Sequence, residues 1–275
     1  MTVTNTVETA MNWGTVSGAS MAGMVISLLL SVGLPIFLGI FIYKKTKAWV
    51  PAFFIGCGIF VGFAMILEQI CHAIVLTVSG SVIRENIWLY AIYGGLAAAL
   101  FEECGRWIAM KFFLKKHLTR ENALMYGAGH GGIEAFLILG MSSMSNLLTA
   151  AMINGGLMEK TMTALEPAQQ EVTYHQLSVL WTTPAYQFYL APVERISAIA
   201  LQIALSILVY SAVKTGRKLQ LAAAFGLHFA VDFLTVVCAS TIPTWALELG
   251  LLLVVAVICV VVYKLVYLSL AEKKA

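Results

Sequence analysis

Charge is what this sequence has least of. Asp, Glu, Lys and Arg together make up 11% of its 275 residues, against about 25% in soluble domains. The hydrophobic share is 60% and the mean hydropathy +0.87, which excludes an ordinary water-soluble domain. Cysteine is also scarce. Cys57, Cys71, Cys104, Cys238 and Cys259 lie in apolar runs at no metal-like spacing, so they read as packing residues and not as a disulfide framework. The first 18 residues have no basic stretch leading into an apolar one, and no cleavable signal peptide is expected. No internal repeat of the kind common in secondary transporters is visible. The HExxH pair of many zinc proteases is missing as well.

What the chain has in quantity is long apolar runs. A helix needs about 20 apolar residues to cross a bilayer. Six such runs cover about 19–43, 49–78, 87–110, 184–213, 219–240 and 244–263, and another starts near Asn122 and fades after Met141. The expectation is an all-α, polytopic bundle of about seven transmembrane helices, forming one integral membrane domain over 1–275. The polar segment 159–175 is expected to be the longest extramembrane loop. Pro192 suits a helix start just below the surface.

The basic residues fix an orientation. Lys44, Lys45 and Lys47, then Lys111, Lys115, Lys116 and Arg120, then Lys214, Arg217 and Lys218, then Lys264, Lys273 and Lys274 all fall on one side of a seven-span chain. Only Arg84 and Lys160 remain for the other side. The positive-inside rule then places the N-terminus outside and the C-terminus in the cytoplasm. The expected location is a bacterial plasma membrane, crossed several times.

Against this background a few ionisable residues stand out. An ionised group near the bilayer centre costs several kcal/mol, so such groups tend to mark a pathway, a partner or a catalytic site. Glu102, Glu103 and Arg106 lie inside the third run. Glu102 and Arg106 are four apart and share a helix face, while Glu103 points about 100° away. A structural ion pair would need only one carboxylate. The fourth run carries His130 and Glu134, and the sixth carries His228 and Asp232, each pair again four apart.

Depth ties these residues together. Glu102 is nine residues from Lys111, His130 ten from Arg120, and His228 ten from Lys218. At 1.5 Å per residue, each sits roughly 14 Å from the cytoplasmic end of its helix. Three helices thus present polar groups at one level, and the side chains of Glu102, Glu103, His130, Glu134, His228 and Asp232 are expected to share a cavity between them. Gly127, Gly129, Gly131 and Gly132 flank His130. They allow close helix packing, or they leave room for water or an extended substrate.

The order Glu102-Glu103-x-x-Arg106, Tyr126…His130, His228-x-x-x-Asp232 resembles the glutamic-type intramembrane proteases. That group includes the CAAX prenyl endopeptidases with their Abi relatives, and the PrsW-type site-1 proteases. His130-Gly131-Gly132-Ile133-Glu134 is most similar to the second motif of the YhfC family, and the resemblance spans core motifs within 101–233. The CAAX-type first motif has three residues between the glutamates and the arginine. This chain has two, as in PrsW-type proteins, which argues against carrying over a prenylated substrate.

The resemblance implies an endopeptidase that cuts a membrane protein or peptide with water activated by glutamate and histidine. Glu102 would take the proton with help from His130, Arg106 would tune the base, and His228 would stabilise the oxyanion, oriented by Asp232. Glu103 and Glu134 would support the site or position water, and the sequence does not separate Glu102 from Glu103 as the base. No cofactor is required. The mechanistic rival is a zinc metalloprotease with ligands from His130, His228, Glu102, Glu134 and Asp232. A proton-coupled transporter is the rival from another class. Cys104 has no neighbouring histidine and is not expected to act as a nucleophile. The expected partners are the substrate and the bilayer, with no nucleic acid. Two further clusters remain, Glu68 with His72 and Glu194 with Arg195. Either glutamate would brace Arg195, or Glu194 would line a substrate path.

Overall fold

A computed structural model describes residues 11–270. Among them there is no β-strand. Seven helices are long and apolar enough to cross a membrane: Gly18–Thr46, Pro51–Val78, Ile87–Phe113, Arg120–Asn154, Ala185–Thr215, Lys218–Ala239 and Thr244–Tyr267. They are called the first to seventh spans below.

Local chemistry sets the ends of these helices. Ser17, Asn86 and Thr119 cap the first, third and fourth spans, each side-chain oxygen accepting a backbone N–H from the first turn. This satisfies donors that a helix start leaves orphaned. Proline opens the second span at Pro51, and Pro184 and Pro243 immediately precede the fifth and seventh. The fifth span stops at Gly216, whose φ of 74° suits a residue without a Cβ.

The fifth span is the axis of the bundle. Most of its deeper half is buried, from Ser197 through Ala212, with several small and polar side chains among the apolar ones. The other six spans turn large apolar side chains outward, including Leu29, Phe37, Phe54, Ile74, Leu148 and Leu253. In water so much exposed apolar surface would drive association. In a bilayer it matches the solvent, and helices satisfy their own backbone groups there. The chain is a multi-pass integral membrane protein.

The second and fourth spans meet backbone to backbone. A Cβ on Gly129 would lie 1.9 Å from the Phe53 carbonyl oxygen, and one on Gly56 would lie 2.3 Å from the Tyr126 carbonyl oxygen. On the other side, a Cβ on Gly127 would lie 2.7 Å from the Cα of Ile203 in the fifth span. These glycines therefore bring the helix carrying His130 against two neighbours, and packing accounts for them.

Three boundaries differ from the sequence expectation. The fourth span does not fade after Met141 but continues to Asn154. It passes through a wide π turn at Phe136–Gly140, and the Ser142 hydroxyl donates back to the carbonyls of Ile138 and Leu139. The serine-rich stretch thereby hides its hydroxyl on its own helix.

Most of the expected loop 159–175 is helical, lying in Leu157–Met162 and Pro167–Thr182. The second of these packs Leu177, Leu180 and Trp181 onto Val16, Met24, Ala150 and Ile153. The spacing of its three apolar residues is helical, but the surrounding polarity conceals it.

Pro192 does not start a helix. It lies inside the fifth span, which begins at Ala185. Proline has no N–H for the carbonyl four residues back, and that carbonyl, on Phe188, instead accepts the hydroxyl of Ser27 at 3.1 Å.

Candidate active site

Polar side chains from the third, fourth, fifth and sixth spans meet inside the bundle. Glu102, Glu103, Arg106, His130, Glu134 and His228 are all buried. Asp232 is the exception, with its side chain 35% exposed. That makes it the member of the set most open to water.

Adjacent glutamates on the third span face different neighbours, as their 100° separation requires. Glu103 is spent on internal pairing. Its Oε2 accepts Arg106 Nε at 3.0 Å and its Oε1 meets His228 Nδ1 at 2.8 Å. Glu102 instead lines a cavity of ≈ 400 Å³ together with Glu134, Gln202, His228 and Asp232. Its Oε2 lies 2.9 Å from His130 Nε2.

Arg106 is fully enclosed, and its donors are well matched. Besides Glu103, it donates to the Gln202 carbonyl at 3.1 Å, to Ser206 Oγ at 2.6 Å and to the Gln202 side-chain oxygen. The Glu102 carboxylate stands 4.0 Å away. A buried guanidinium is tolerable only when paired and hydrogen-bonded in this way.

Gln202 joins this cluster without having stood out in the sequence. Its amide donates to Glu102 Oε2 at 2.9 Å and to Glu134 Oε2 at 2.8 Å, so it bridges two carboxylates from different helices. The available signal was a primary amide inside the apolar run Ala200-Leu201-Gln202-Ile203. Polar groups are expensive at that depth.

The two side clusters resolve differently. Arg195 pairs with its neighbour Glu194 and also reaches Glu134 Oε1 at 3.1 Å. It therefore braces the site and lines the cavity at once. Glu68 meets His72 at 3.2 Å, and His72 Nδ1 meets the Tyr93 hydroxyl at 2.8 Å on the cavity wall.

Three of these side chains form a candidate metal-ligand set. Among the described residues, Glu102, His130 and Glu134 each offer a ligand atom, all within 4.8 Å of one another and all buried. Donors around a tetrahedral zinc ion are about 3.4 Å apart, given bonds near 2.1 Å. One imidazole and two carboxylates within 4.8 Å of one another are the right donor types for such an ion and would hold it once their ligand atoms even out to that separation. Tyr126 OH sits 3.4 Å from His130 Nδ1, where a partner holds a ligating ring in place. His228 and Asp232, also expected as ligands, stand beside this trio: His228 Nε2 is 3.9 Å from Glu102 Oε2 and 3.5 Å from Asp232 Oδ2.

A family model described as YhfC intramembrane metalloprotease matches residues 30–259, taking in every residue of this site. The chain belongs to the YhfC family. It is an intramembrane protease by that membership. The membrane protein YhfC of Bacillus subtilis (strain 168) is 40% identical to it over 222 residues, covering 78% of this chain and 83% of the relative. No solved structure matches. For this YhfC-family chain, the family description favours the metal-dependent alternative over the purely glutamic one.

Proposed function

We propose that the protein is a metal-dependent intramembrane endopeptidase whose substrate is a membrane-embedded protein or peptide. Glu102, His130 and Glu134 would hold the ion. The observation that carries this reading is the convergence of those three buried ligand groups, two of which, Glu102 and Glu134, line the cavity. A zinc ion there would supply a water acidified toward neutral pH and would polarise the scissile carbonyl.

The remaining groups have roles set by their contacts. Gln202 holds the carboxylates of Glu102 and Glu134 in place through its two N–H bonds. Arg195 fixes the second oxygen of Glu134. Glu103 accepts a hydrogen bond from His228 Nδ1–H, and the ring, held between the carboxylates of Glu103 and Asp232 as a doubly protonated imidazolium, turns its Nε2–H toward the cavity. From there a ring N–H can donate to the oxyanion of a tetrahedral intermediate. Asp232 Oδ2, 3.5 Å from that nitrogen, orients the ring and is open enough to exchange protons with water.

The short contact between His130 Nε2 and Glu102 Oε2 also supports a metal-free version, in which Glu102 takes the proton of the attacking water. One experiment separates the two. The protein is purified in detergent, its metal content measured by mass spectrometry, and cleavage of transmembrane peptides followed before and after chelation. The metal reading expects about one equivalent of metal and a loss of at least a hundredfold on chelation, reversed by added zinc. Full activity in metal-free protein would transfer the role to Glu102 as a base. A protein that cleaves no membrane peptide with its metal bound would contradict both.

A further inference from the structure

We infer that substrate reaches this site as an extended chain from the non-cytoplasmic face of the membrane. The identity of what enters rests on the protease reading, whereas the direction of the opening does not.

The cavity is one-sided. Its lining runs from Glu102 and His228 up past Gly94 to Tyr90 on the third span, to Ile138 on the fourth and to Glu194 on the fifth. Every lining residue lies at the level of Glu102 or farther from the lysine-rich helix ends. Below that level the bundle is closed. Arg106, Met110, Leu114, Tyr126, Leu205 and Tyr210 are each no more than 2% exposed, and they fill the space between the site and the basic ends. By the distribution of lysine and arginine, those ends are cytoplasmic.

Size decides the form of the substrate. Tyr90 and Glu102 are twelve residues apart on one helix, so the cavity is about 18 Å long. A helix about 10 Å across would need about 1,400 Å³ over that length. All the empty space of the cavity, its open mouth included, comes to ≈ 1230 Å³, which is less than such a helix fills. An extended chain covers 18 Å with about five or six residues. Unwinding frees backbone donors and acceptors that lipid cannot satisfy, and the wall supplies partners for them in the Tyr93 and Thr235 hydroxyls and the further N–H groups of Arg195.

Cysteine accessibility tests the direction. In a chain whose five native cysteines are replaced by serine or alanine, Thr235→Cys and Ala198→Cys are each exposed to a membrane-impermeant maleimide, in intact cells and in inverted vesicles. Both should react at least tenfold faster from outside, and Leu205→Cys, in the closed region, should stay unlabelled from either side. Labelling of either wall cysteine mainly from the cytoplasm, or from neither side, overturns the inference, and so does cytoplasmic labelling of Leu205→Cys. Either wall variant suffices if the other fails to insert. Labelling needs no hydrolysis, so an inactive protein labelled from outside would refute the protease reading and leave the access route standing. The extended form has its own test. Single-span substrates loosened by glycine and proline in their outer half should be cut at least tenfold faster than leucine- and alanine-rich helices, and equal rates would overturn it.

Discussion

Glu102 and Glu103 are neighbours in the chain, yet only Glu102 faces the cavity. Glu103 is enclosed between Arg106 and His228. Their replacements should therefore fail in different ways. Glu102→Gln is expected to lower bound metal and proteolysis together, and in the metal-free version to lower proteolysis by about 10²–10⁴-fold, the range for a lost proton-transfer group, with thermal unfolding in detergent little changed in either case. Glu103→Gln leaves Arg106 with a weakened countercharge and should cost about 3–5 kcal/mol of stability, as when a buried pair is broken. Equal unfolding temperatures for the two variants would contradict this division.

His130 and His228 separate in the same manner. His130→Ala should lose bound metal together with activity. His228→Ala should keep its metal and lose rate, since its Nε2 stands 3.9 Å from the nearest ligand oxygen and its Nδ1 is committed to Glu103. Metal content measured beside the cleavage rate decides it, and a metal-free His228→Ala protein would make that histidine a ligand.

Gln202→Leu removes both amide donors to Glu102 and Glu134 at nearly constant volume. Groups that orient metal ligands are worth about 10–100-fold in affinity, and a loss of that size is expected in a zinc titration. Unchanged affinity would reduce Gln202 to a partner of Arg106 alone.

Gly129→Ala places a methyl group where the Phe53 carbonyl oxygen already stands. Overpacking of this kind costs about 1–3 kcal/mol. Gly62→Ala, on the second span with nothing within 4 Å of the new Cβ, should be neutral or better in the same unfolding measurement.

Reporter fusions after Lys47, Lys116, Lys218 and the C-terminus should read as cytoplasmic, and those near Glu85, Glu166 and Pro243 as external. A cytoplasmic reading at Glu166 would invert the orientation and with it the direction of substrate access.

Much of this was legible from the sequence because lipid makes polar residues conspicuous. The seven spans follow from apolar length, and Glu102, His130 and His228 share a depth that counting from the basic ends reveals. Gln202 escaped because an uncharged amide raises no alarm in a hydropathy count, although its partners lie on two other helices. The helix Pro167–Thr182 escaped because its three packing residues are diluted by polar ones. The different duties of Glu102 and Glu103 depend on what surrounds the third helix. That is information about neighbours, and no local spacing contains it.

Arg106 and its partner Ser206 are 100 residues apart in the chain. At about 5–20 residues per second of synthesis, the fifth span follows the third by about 5–20 s. During that interval the arginine sits in the membrane without the hydroxyl, carbonyl and amide that will later surround it. Glu103, three residues away on the same helix, is present from the start. The ion pair between them therefore has a duty in time as well as in space: it keeps the third span insertable until the central helix arrives to complete the site.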